Sequence, residues 1–166
     1  LVSFKVDCSK VSLDTLSEDS SMVTDLFVFQ KEDRISNIQI VILSKDQEKV
    51  LTIDVPTSTY VSVVDLEDVP ISSLESVGEF LSYSSGKQYV VEYMSNLLGL
   101  KFDNYIWLRD SSEDYQSLSK QLSVWSILSD FKYNKELRGN IYSNLPILNL
   151  ITHINTVSLA YSEYDI

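Results

Sequence analysis

The chain of 166 residues is poor in the residues that most catalytic and cross-linked proteins rely on. It has one cysteine, one histidine, four glycines, three prolines and three arginines, Arg34, Arg109 and Arg138. The lone Cys8 excludes an internal disulfide and a cysteine-rich zinc site. With no evident base partner, it reads as a small packed or half-exposed side chain. The glycines are scattered, which leaves no phosphate-cradling glycine loop and no G-x-S-x-G nucleophile elbow. No run of about 20 apolar residues occurs, so no segment of the sequence reads as a membrane-spanning helix. Positive charge is scarce: 13 Lys and Arg stand against 24 Asp and Glu, a net charge of −11. Such a surface repels phosphate backbones and anionic lipid, which argues against nucleic-acid binding and electrostatic membrane docking. The acidity itself reads as a solubility feature.

What remains is ample for a core. Hydrophobic residues make up 44%, with ten Tyr and six Phe, so the chain is expected to fold as one domain over residues 1–166. Residues 1–6 alternate weakly and read as a strand, and the Ser- and acid-rich residues 9–21 as a loop. Apolar runs at 25–30, 37–43 and 49–55 are separated by the charged turns Lys31–Arg34 and Lys45–Glu48, and Pro56 ends the third. This pattern predicts an antiparallel meander. Residues 57–69 read as extended and irregular. Pro70 suits the first turn of a helix carrying Leu74, Val77 and Leu81. A second helix is expected over 87–98, with Gly99 as its cap. A strand follows at 104–108. Ser111 and Asp114 open a further helix through Leu128, and residues 132–142 read as polar and moderately helical. Asn144 and Pro146 open a last helix, with Ile147, Leu148, Ile151, Ile154 and Val157 inward. The fold class expected is α/β, a mixed central sheet with helices on both faces.

Few residues invite chemistry. His153 stands between Ile151 and Ile154 on an amphipathic stretch and reads as a helix-flank residue with a satisfied ring. Glu18-Asp19 and Glu67-Asp68 read as solvated loop charges. Asp25 differs, because it opens an apolar strand. It reads either as a strand-edge residue or as a metal- or phosphate-site carboxylate, since sites in α/β folds gather at strand ends.

The order of segments carries a resemblance. Asp25 opens a strand; a hairpin leads to Pro56-Thr-Ser-Thr-Tyr-Val61; a helix closes on Leu97-Leu-Gly-Leu, followed by Asp103-Asn-Tyr-Ile106; and Ser143-Asn-Leu-Pro stands near the end. This resembles the LytR-CpsA-Psr family of the bacterial cell envelope, over about residues 22–110 and 140–160. The resemblance implies an extracytoplasmic α/β/α domain, held at the membrane through a segment before Leu1. That segment is also suggested by the strand-like start without Met. Family members bind a polyprenyl-pyrophosphate glycan in an apolar groove and transfer the glycan phosphate to the cell wall, using arginines and aspartates with magnesium.

The sequence departs from that pattern where charge matters. Val23 stands where the family has an arginine before the Thr-Asp pair, and Thr57-Ser58 replace Arg-Asp. Neither valine nor threonine supplies the bidentate cationic donors that a pyrophosphate needs. By resemblance, Asp25 and Asp7 are candidate metal positions and magnesium the implied ion. Thr57, Ser58 and Phe27 are candidate groove positions, and the observation that would decide most is whether an apolar tunnel opens beside Asp25 and Thr57. Three functions follow in order: a catalytically degenerate domain that binds a lipid-linked envelope precursor or an envelope protein; an active glycopolymer phosphotransferase with a rearranged site; and an unrelated α/β interaction domain.

Overall fold

A computed structural model describes residues 22–46, 49–63, 66–81, 85–109, 140–146, 149–154 and 156. The elements expected at 1–6, 9–21 and 111–128 lie outside these residues, as does Asp7. Strands β1 (Met22–Lys31), β2 (Arg34–Ser44) and β3 (Lys49–Val55) form the antiparallel meander. Two residues, Glu32 and Asp33, connect β1 to β2, and residues 45–48 separate β2 from β3. A short ribbon, β4 (Tyr60–Val61) with β5 (Val69–Pro70), occupies the segment expected to be irregular. A 3₁₀ turn (Ile71–Ser73) leads into helix α1 (Leu74–Phe80), and helix α2 spans Gly86–Leu98. Gly99 closes α2 in the left-handed region at φ 64, with the Ser95 hydroxyl and carbonyl bridging to Leu100.

The chain then returns to the sheet centre. Strand β6 (Asn104–Arg109) pairs with β1 in parallel, and β7 (Ile141–Ser143) pairs antiparallel with β6. The five-stranded order is β3-β2-β1-β6-β7. Residues 141 and 142, expected to be helical, lie in β7. The correction follows from Ile141, whose side chain joins the core, and from the ladder that β6 offers. Tertiary pairing overrides a weak local preference there.

Strand alternation sorts the core into two layers. Leu26, Val28, Ile38, Ile40 and Trp107 pack against α1 and α2 through Leu74, Tyr89, Val90 and Met94. Phe27, Phe29, Val41, Ile106 and Leu108 face the other side, where residues 149–154 are helical and insert Leu150 and Ile154. The inward face of that last helix therefore includes Leu150, while Ile147, Leu148 and Val157 lie outside the described residues. Helices thus cover both faces of a mixed sheet.

Helices α1 and α2 approach closely because two glycines meet at their junction. A Cβ on Gly78 would stand 2.5 Å from that of Tyr89, and one on Gly86 would stand 2.4 Å from the Glu75 carbonyl oxygen. No real side chain fits either gap. This contact sets Lys87, the residue after Gly86, over the α1 carboxylates. Among the described residues no helix is long and apolar enough to cross a membrane.

Candidate functional site

Polar side chains gather at both ends of the central strand β1, on opposite faces. At the amino end, Asp25 is fully buried. Its Oδ2 lies 2.5 Å from His153 Nε2, and its Oδ1 accepts a bond from Asn104 Nδ2 at 2.8 Å. Next to it, Asp103 Oδ2 accepts the Thr24 amide while the Asp103 amide donates to the Thr24 carbonyl. The Asn144 side chain bridges the Asp103 carbonyl and the Tyr105 amide. Both Asp25 oxygens are engaged by protein groups, and no group of three His, Cys, Asp or Glu suited to a metal occurs among the described residues. Through these bonds Asp25 ties the 149–154 helix to the sheet. His153 has the satisfied ring expected of it, and its partner is Asp25.

The expected groove positions separate from Asp25. Phe27 has no solvent exposure and stacks against Phe29, ring centroids 6.4 Å apart. No tunnel reaches a side chain that a water-sized sphere cannot touch, so Phe27 is core. Thr57 and Ser58 form a turn closed by the Thr59 amide on the Pro56 carbonyl. Thr57 Oγ1 also donates to the Ser36 carbonyl, and the Ser36 hydroxyl donates to that of Phe29. This places the turn at the carboxyl end of β1. Asp25 stands some four to five residues back, about 15 Å along the strand. Asp25 and Thr57 therefore stand in two separate regions.

The carboxyl end of β1 is open. A cleft of about 360 Å³ lies there, lined by Gln30, Asp33, Glu75, Ser76, Glu79, Lys87 and Arg109. Beside it, Glu32 holds the β1–β2 turn in the left-handed region at φ 57, a strain of about 1 kcal/mol for a residue with a Cβ. The cleft sits where the parallel strands β1 and β6 end in Gln30 and Arg109, the position at which α/β sheets gather their sites. Its floor is a chain of buried donors and acceptors. Trp107 Nε1 donates to Gln30 Oε1 at 2.9 Å, Gln30 Nε2 to Glu75 Oε2 at 2.9 Å, and Lys87 Nζ to Glu75 Oε1 at 2.6 Å. Lys87 Nζ also stands 5.1 Å over the Trp107 ring and 6.0 Å from that of Tyr142. Gln30, Glu75 and Trp107 are all buried. At the rim, Arg109 pairs with Asp33 at 2.9 Å. Beyond Lys87, Tyr142 stacks on Tyr105. Burial, together with Tyr142, pushes the Tyr105 hydroxyl above its ordinary value.

The balance of charge decides what this cleft can hold. Three carboxylates face two cations, and each cation already has a carboxylate partner. A phosphate would have to break those pairs and then meet the carboxylates it released. Magnesium fits no better. It needs carboxylate oxygens with room for several waters, and Glu75 and Asp33 are held by Lys87 and Arg109.

No protein-family model matches the chain, and no curated protein matches it. Solved structures do. Bacillus subtilis TagU superposes with a TM-score of 0.58 at 13% identity, over 80% of each chain. The Listeria innocua protein Lin1025 gives 0.56 at 14% identity, over 83% of this chain and 79% of that one. TagT bound to LI-WTA gives 0.57 at 11% identity, over 84% and 75%. These are LytR-CpsA-Psr structures. The chain has the LytR-CpsA-Psr fold. At this identity the likeness carries the fold alone, and the departures in charge noted from the sequence bear on a domain of that architecture. The cleft residues Gln30, Glu75 and Lys87 escaped sequence reasoning. The one signal they left is an apolar strand ending on the buried amide of Gln30.

Proposed function

We infer that this is a LytR-CpsA-Psr-type domain of the cell envelope, extracytoplasmic in place, that binds a partner and does not transfer glycan phosphate. The observation carrying this reading is the pairing of both cleft cations, Lys87 with Glu75 and Arg109 with Asp33. Stabilising a transferring phosphoryl group requires free, preorganised positive charge. Here that charge is neutralised by the protein's own side chains. The ligand is an envelope component, either a lipid-linked precursor held by parts other than its phosphates or an envelope protein.

The test is an assay of transfer from a polyprenyl-pyrophosphate-linked glycan to cell-wall acceptor with magnesium present, run beside calorimetric titration of the protein with inorganic pyrophosphate. The expected result is no turnover and no saturable pyrophosphate binding. Turnover abolished by Lys87→Met would establish an active transferase instead.

A further inference from the structure

We propose that Glu75 is the residue that sets the ligand preference of the cleft: it holds Lys87 in a buried pair and so keeps a latent anion site closed. The proposal rests on the non-transferring reading above and names the side chain responsible for it. The two cleft pairs are not equivalent. Arg109 and Asp33 have side chains 50% and 93% exposed, so water and salt screen their attraction. Lys87 and Glu75 have side chains only 30% and 11% exposed. Their attraction acts in a poorly screened environment, where it is much stronger.

Glu75 is also prevented from moving away. Its second oxygen accepts from Gln30, which is fixed in turn by the indole of Trp107. The Gly86 contact leaves no slack between the backbone of α1 and that of α2. Lys87 meanwhile rests over the Trp107 ring, where the π-face favours an ammonium. The cation is therefore positioned beside a cleft, and one carboxylate, Glu75, is paired with it.

The substitution Glu75→Gln removes that charge while preserving shape. An amide oxygen can satisfy either Lys87 or Gln30 but leaves the ammonium with its charge uncompensated. Titration with inorganic pyrophosphate should then show saturable binding where the unaltered protein shows none, at least about tenfold tighter than the weakest binding the titration can detect, the scale of one recovered charge-assisted bond. The gain should vanish in Glu75→Gln/Lys87→Met and weaken with added salt. Thermal melts establish that each variant is folded. Glu75→Met, which fills the same space without charge, serves as the second variant if Glu75→Gln melts early. A folded Glu75→Gln or Glu75→Met protein that binds pyrophosphate no better than the parent overturns the proposal and leaves the non-transferring reading standing. A parent protein that already binds pyrophosphate tightly overturns both. A gain that survives in the double variant shows that Lys87 is not the latent cation.

Discussion

At the amino end of β1, a fully buried carboxylate meets an imidazole and an amide, and the three close a seam between the sheet and the 149–154 helix. At the carboxyl end, a carboxylate of similar burial, Glu75, meets an ammonium and an amide, and the three form the floor of a cleft. The parts are alike, and the surroundings separate them. Asp25 lies beneath a helix whose Leu150 and Ile154 fill the layer around it. Glu75 lines an open cleft, and its partner Lys87 still reaches water. One acid–base pair fastens the fold, and the other occupies a site.

The largest test of this contrast is His153→Ala. It strands the Asp25 carboxylate with only Asn104 for company, and breaking one side of a buried pair costs about 3 kcal/mol. Urea unfolding should show that loss. Asp25→Asn, which removes the charge, should cost less, and the two changes together should be clearly non-additive. A loss under about 0.5 kcal/mol for His153→Ala would mean that the amino end fastens nothing.

Gly86→Ala probes the other end. Its Cβ would lie 2.4 Å from the Glu75 carbonyl, so α2 must shift, at about 1–3 kcal/mol of overpacking strain. Indole fluorescence of the Lys87-capped Trp107 should change with it. Unchanged stability and fluorescence would show that the α1–α2 contact does not position Lys87. Smaller still, Arg109→Ala should alter stability by no more than about 0.5 kcal/mol, because its pair is exposed and screened. A larger loss in the same urea experiment would place Arg109 in the fastening machinery.

The smallest effect belongs to alkaline pH. Burial, with the charge of Asp68 behind it, holds the Tyr93 hydroxyl above its ordinary value, and that hydroxyl donates to the Ser62 carbonyl at 2.6 Å. The folded state therefore keeps this proton where the unfolded chain has released it. Its contribution is complete below about pH 10, the unfolded value, and is lost as pH rises through the higher folded one. Tyr93→Phe should flatten the alkaline limb of a melting-temperature profile, and an identical limb in both proteins would remove Tyr93 as its source.

Much of the fold was legible because its signals are local. Charged turns and Pro56 divided the meander, and Gly99 marked the end of α2. Residues 141–143 were not legible as a strand, because their pairing depends on β6, some 33 residues earlier in the register Leu108↔Ile141. The sites were harder for the same reason. Asp25 stood out as a charge opening an apolar strand, but its partner lies 128 residues away, and no spacing rule joins the two. The family resemblance set it beside Thr57. Only the antiparallel register shows that these are opposite ends. The cleft network joins residues 12 to 77 positions apart on four separate elements, so no motif announces it.

The parallel pairing of β1 with β6 has a consequence for how the chain is made. During synthesis, β1 can zip to β2 as soon as the hairpin emerges, yet its other edge must wait for Asn104–Arg109. Until then a strand of six consecutive buried residues, Asp25 to Gln30, has an open flank. Such a flank is a template for mispairing with other nascent chains. Long-range parallel pairing is also slow to form. Slowing translation between residues 45 and 104 should therefore lower the soluble yield of this domain more than slowing it after residue 109.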